Sequence, residues 1–146
     1  MLTANIGVLL GIGAVVLELR QTQLTMRAEA SSVRTQMNLH IGELRIEYGM
    51  HNITEKVLTG EALTADEEAR LRRIQISMLR YFEHLHYQNE IGVLDEEIWV
   101  ANYNSIGRLC NVPVFKYIFP DWPNVVEASR FRSSFVELVS QRCPKN

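Results

Sequence analysis

Residues 1–19 read MLTANIGVLLGIGAVVLEL, and no charge interrupts them before Glu18. The only polar side chains ahead of Glu18 are Thr3 and Asn5. A run this apolar does not stay in water without a cover. As a helix rising about 1.5 Å per residue it reaches roughly 28 Å, close to the hydrocarbon thickness of a bilayer. The flanks are asymmetric: Arg20, Arg27 and Arg34 follow the run, and no basic side chain precedes it. The positive-inside bias then predicts a single-pass protein with its N-terminus outside and everything after Arg20 in the cytoplasm.

Two competing readings are weaker. A cleaved signal peptide wants a basic residue before the run and a small-x-small site just after it. The front end has no such residue, and Ala28-Glu29-Ala30 lies well past Leu19 behind a polar stretch. A buried core helix of a water-soluble protein suits apolar runs shorter than about 18 residues, and this run is at that border. The expectation is a transmembrane anchor over residues 1–20 and a helical bundle domain over residues 21–146. Within the anchor, Ala4, Gly7, Gly11 and Ala14 recur at helical spacing, and Glu18 continues their stripe at the membrane edge. Glycine weakens a helix, and in lipid the usual compensation is close approach to another helix. The stripe is thus the candidate interface for a neighbouring membrane helix, or for a second copy in a homo-oligomer.

Beyond Leu19 no Pro or Gly occurs until Gly42, and Leu24, Val33, Met37, Ile41, Leu44 and Tyr48 keep helical spacing. This predicts a helix that runs on out of the membrane to Glu47, with Gly49 as its stop. Asn52-Ile53-Thr54-Glu55 has capping-box form and predicts a short helix ending by Gly60. Thr64 and Glu67 form a clearer capping box, with Asp66, Glu67 and Glu68 suited to the positive end of the helix dipole. Leu71, Ile74, Met78, Phe82 and Leu85 then make one apolar stripe, and the helix should end before Gly92. Asp95 is placed to cap the next helix, with Leu94 and Trp99 at the positions of a hydrophobic staple. Trp99, Tyr103, Ile106 and Cys110 continue its inner face. Pro113 ends or restarts a helix, and Pro120-Asp121-Trp122-Pro123 reads as a turn. A last helix runs from about Asn124 or Ser129 to Gln141, with Val125, Phe131, Phe135, Leu138 and Val139 inward. No strand-like alternation of any length appears, so the fold class is all-α.

Net charge is −2, which argues against nucleic acid as a partner, since phosphate binding needs a basic face. Lysine occurs only at Lys56, Lys116 and Lys145; the arginines scatter over helices as a solvated face. Cys110 and Cys143 form no CxxC pair and have no histidine at metal spacing, so two buried or idle thiols in a reducing compartment are expected, with a disulfide as the alternative.

The densest polar cluster is Tyr81-Phe82-Glu83-His84-Leu85-His86-Tyr87-Gln88. Glu83 and His86 form Glu-x-x-His, and Glu83, His84, His86 and Tyr87 are the candidate polar site. Di-metal bundles need two such pairs and two further glutamates, and only one pair exists here. His51 follows Glu47 and His40 precedes Glu43 without repeating that spacing, so no metal site and no cofactor are expected. Asp95, Glu96 and Glu97 are explained by the helix dipole. Tyr87, Trp99, Tyr103, Tyr117 and Trp122 at helical spacing read as core before pocket. Serine-nucleophile elbows, phosphate-binding loops and HExxH are absent, so no catalytic residue is assigned and an enzyme is not expected.

The chain resembles a family of small bacterial proteins of unknown function that have one N-terminal membrane helix and a helical domain. The resemblance rests on Leu63-Thr64-x-Asp66-Glu67 and on Leu79-Arg80-x-Phe82-Glu83-His84-x-His86-Tyr87-Gln88. It continues through Gly92-x-Leu94-Asp95-Glu96-x-x-Trp99, Pro113-x-Phe115 and Phe131-Arg132 with Phe135-Val136. The chain departs from the pattern between Tyr117 and Val126, where it has two prolines. The resemblance implies an anchor-plus-bundle protein of the bacterial inner membrane and carries over no activity. The function expected is a non-catalytic accessory subunit of a larger membrane assembly, of respiratory or photosynthetic type. Its partners would be other membrane subunits and the bilayer. The alternative is a ligand- or metal-binding bundle around Glu83 and His86.

Overall fold

The computed structural model describes residues 2–120 and 130–143; the side chains of residues 2–6 and of Leu9 are outside that description. Among the described residues there are six helices and no strand: α1 Leu2–Glu47, α2 Met50–Thr59, α3 Ala65–Glu90, α4 Glu96–Leu109, α5 Pro113–Ile118 and α6 Ser133–Arg142. The fold is all-α, as the periodicity predicts.

α1 ends at Glu47, where the sequence pattern puts its end, and the chain turns at Gly49 in the left-handed region (φ 61°, ψ 40°). That glycine starts α2, so the predicted capping box at Asn52 is not what begins the helix. Gly60, also left-handed, closes α2 by donating its N–H to the carbonyls of Lys56 and Val57.

α3 opens with the predicted capping box. The Glu67 N–H donates to Thr64 Oγ1 at 3.2 Å, and the Thr64 N–H donates to Glu67 Oε2 at 2.9 Å. Asp95 occupies the N-cap position of α4, but its side chain makes no cap bond. Pro113 stands at the first turn of α5, where its missing N–H costs nothing. α6 begins at Ser133; Phe131 precedes it as a buried residue outside the helix. The predicted starts at Asn124 and Ser129, and the readings of Trp122 and Val125, lie outside the described residues.

α3 is the helix around which the others pack, touching α1, α2, α4, α5 and α6. Its inward row of Leu71, Ile74, Leu79, Phe82 and Leu85 meets Ile53, Ile106, Phe115, Phe119, Phe135 and Val139 in one core. It runs antiparallel to the second half of α1. Gln88 Nε2 donates to the Ala30 carbonyl at 3.4 Å, Asn38 Nδ2 to Tyr81 Oη at 3.0 Å, and Arg73 to Tyr48 Oη at 3.0 Å. Residues 2–29 therefore project past the bundle, over about 42 Å of helix.

Along that projection Val8, Leu10, Ile12, Val15, Val16, Leu17 and Leu19 are between 53% and 70% exposed. The segment does not fold back into the chain's own core. Among the described residues no helix is long and apolar enough to cross a membrane. The spanning anchor over residues 1–20 is thus not a finding of the fold.

The two cysteines depart from expectation. α4 packs against α6, which brings Cys110 and Cys143 together as a disulfide with Cα atoms 5.8 Å apart. That separation lies inside the roughly 4.4–6.8 Å window of such bridges. Contact between residues this far apart in sequence leaves no local pattern, so the expectation of idle thiols fails here.

Candidate functional site

The polar cluster on α3 comes apart into three separate environments. Glu83 is 13% exposed at its side chain, and both of its oxygens are engaged. Oε1 accepts the Arg132 backbone N–H at 2.6 Å, and Oε2 accepts from Arg80 at 2.9 Å. The same two arginines cover aromatic faces: Arg80 sits 3.9 Å above the Phe131 ring and Arg132 sits 3.9 Å above the Tyr87 ring. The carboxylate therefore ties the extended segment before α6 to the middle of α3. This is a structural clamp: both carboxylate oxygens accept hydrogen bonds from the protein itself.

His84 faces Gln88, with its Nε2 2.8 Å from the amide nitrogen. His86 lies elsewhere, 12% exposed and between the rings of Trp99 (5.5 Å between centroids) and Phe135 (6.1 Å). Glu90 Oε1 comes within 3.4 Å of its Nε2, yet neither ring nitrogen has a hydrogen-bonded partner. Of these two observations the missing bond carries more, because an attraction at that separation without alignment is weak. Glu83 and His86 share no partner, so the Glu-x-x-His spacing does not make one site. Among the described residues no three His, Cys, Asp or Glu side chains converge to hold a metal ion.

Of the aromatics read as core, Trp99 and Tyr103 follow that reading and Tyr117 does not. Trp99 and Tyr103 pair at 5.6 Å and pack on the core. Tyr117 is exposed, and its hydroxyl donates to Glu68 Oε1 at 3.4 Å.

The small-residue stripe belongs to the projecting part of α1. Gly7, Gly11, Ala14 and Glu18 are exposed, and Ala4 has no described side chain. A Cβ built at Gly7 or Gly11 meets nothing within 4 Å. Neither glycine is required by the protomer's own packing.

Several structurally important residues escape a motif search. Gln75 and Gln88 are buried at 2% and 4% exposure, each in the inward register of α3. A polar residue four after Leu71 and another three after Leu85 is the signal that marks them, since those positions belong to the apolar stripe. Lys56 and Glu67 form an ion pair between elements, at 2.8 Å. It joins α2 to the first turn of α3. The Lys56 ammonium, with the Thr64 N–H second, lowers the Glu67 carboxyl from 4.5 to about 2, and Glu67 in turn raises Lys56 above its ordinary range.

No family model, curated protein or solved structure matches the chain. The family resemblance therefore assigns no membership, and the functional reading rests on the residues.

Proposed function

We propose that the protein is a non-catalytic accessory subunit, held in the bacterial inner membrane by residues 1–20 and presenting its helical bundle to other membrane subunits. One observation carries this reading. The first nineteen residues are apolar, they extend the same helix that docks on α3, and the described side chains among them from Val8 to Leu19 touch nothing that would keep them from water. Apolar surface on that scale needs lipid or a partner. The open stripe of Gly7, Gly11, Ala14 and Glu18 supports a neighbouring helix as that partner, another subunit or a second copy.

The reading is tested by washing membranes with alkaline carbonate and purifying the chain in mild detergent. Retention in the membrane pellet and co-purification of other membrane proteins are expected. Release into the wash, or a chain that purifies alone as a monomer, overturns it. Gly11→Leu isolates the stripe: the protomer has room for the side chain, so weakened association points to an interface and unchanged association to lipid.

The orientation has two supports that disagree. Arg20, Arg27 and Arg34 favour a cytoplasmic bundle. The Cys110–Cys143 bridge favours a bundle in an oxidising compartment. The arginine bias governs insertion itself, so the cytoplasmic placement is the one proposed. A C-terminal fluorescent fusion that lights up, with an alkaline phosphatase fusion inactive, is the outcome it requires. The reverse pair of results assigns the bundle to the outer side.

A further inference from the structure

α1 carries its charges in a pattern that the bundle does not explain. At about 100° per residue, Glu18, Glu29, Glu43 and Glu47 fall on one flank of the helix, within about 40° of one another. Arg20, Arg27, Arg34 and Arg45 fall on the opposite flank, within a similar arc. Among the described residues no ion pair joins any of these side chains. Two uncharged faces separate the flanks. One holds Met37, Ile41 and Leu44 and packs on the core. The other lies on the far side of the rod and holds Leu10, Leu17, Leu24, Leu39 and Ile46, which are between 60% and 84% exposed. Ala28, Ser31, Thr35 and Gly42 lie among them, and no charged residue enters this face from Leu10 to Ile46. It runs over about 54 Å of helix, well beyond residues 1–20.

We propose that this outward face binds a second copy of the chain, the two α1 helices lying parallel and level as a two-fold pair. A continuous line of exposed apolar side chains needs a cover, and a two-fold axis sets the same line against itself. The charges select the partner and its direction. In a parallel pair the acidic flank of one copy lies beside the arginine flank of the other. With the copies level, Glu18 stands two residues from Arg20 of the other copy and Glu29 two from Arg27. Glu43 and Glu47 each stand two from Arg45 of the other copy, and every such offset is about 3 Å along the axis. Arg34 alone has no acid at its level. Flanking pairs of this kind set partner choice and orientation where helices associate. An antiparallel pair would put like flanks side by side. Glu43 and Glu47, four apart on one flank, repel each other in a lone helix, and an arginine placed between them offsets that cost. The bundle docks on the opposite side of α1 and leaves the face open. The pairing goes beyond the accessory role and does not need residues 1–20 to span a bilayer.

The full chain in mild-detergent micelles is tested by cysteine cross-linking and by sedimentation. Ala28→Cys and Thr35→Cys each place a thiol on the outward face, and mild oxidation should link each variant to itself. Gln23→Cys, on the bundle side of the rod, and the wild type, whose two cysteines are bridged to each other, should not link. Linking at both positions requires parallel, level helices, since an antiparallel pair brings only one position onto itself. Arg27→Glu and Glu29→Arg should each weaken dimerisation by about tenfold, because each turns two attractive contacts into repulsive ones across the two-fold. The double variant should restore it, which only a second copy of the same chain can do. Leu39→Glu, at a position open in the protomer, should give a monomer with an unchanged thermal midpoint. Three outcomes overturn the proposal: a wild type that is monomeric at every protein-to-detergent ratio, no linking at positions 28 and 35, or a double variant no better than the single ones. A dimer that brings no other membrane protein supports this pairing and defeats the accessory role. A single copy bound to other subunits does the reverse.

Discussion

Glu67 does three jobs at once. It completes the capping box with Thr64, it accepts from Lys56, and it sits in the positive first turn of α3. Its carboxyl titrates near 2 in the folded chain and near 4.5 otherwise, so its contribution is present above about pH 4.5 and fades as pH falls toward 2. Denaturant unfolding of Glu67→Gln against the wild type should therefore show a gap at neutral pH that closes across that window. A gap that stays constant to pH 2 would mean the charge is irrelevant. Glu83 is the second carboxylate with a fixed role. Replacing it by alanine leaves the exposed Arg132 N–H to water and removes one partner of Arg80, and a loss of about 1–2 kcal/mol is expected. The same substitution should leave the metal content of the purified protein unchanged.

Helix breaks in this chain are made by backbone conformation more than by side-chain caps. Gly49 turns α1 into α2 at φ 61°, a region that costs other residues about 1–2 kcal/mol. Gly49→Ala should lower stability by that amount, read from the denaturant midpoint with an unchanged slope. How much was legible in the sequence follows the same division. The end of α1 at Glu47 and the Thr64–Glu67 start of α3 could be read locally, because periodicity and capping chemistry are local. The sequence marks Gly49 as the stop of α1, and its second role as the start of α2 is hidden behind the capping pattern at Asn52. Asp95 shows the converse, a residue of the right type in the right place whose side chain makes no bond. The candidate site was the least legible part. Glu83, His84 and His86 are neighbours along the chain, yet their partners, Arg132, Gln88 and the Trp99–Phe135 slot, are decided by how α4 and α6 dock.

The molecule as a whole has a bundle packed on α3 and a helix that leaves it. Because the projecting residues make no contact with the core, a protein lacking residues 1–20 should keep its thermal midpoint and helical content while losing membrane association. Loss of folding on that deletion would show that the projection stabilises the bundle after all. The Cys110–Cys143 bridge acts at the same scale, closing a loop across 33 positions. In the chain-entropy view a closed loop of this length is worth about 3–4 kcal/mol, so reduction should lower the unfolding free energy by that much. The continuity of α1 has a mechanical consequence as well. Leu19 and Arg45 are about 39 Å apart along one unbroken rod. A tilt of about 20°, ordinary for a membrane helix, swings the far end sideways by roughly 13 Å. Whatever grips the first nineteen residues would thereby aim the bundle at the far end of the rod, much as a wrist aims a torch.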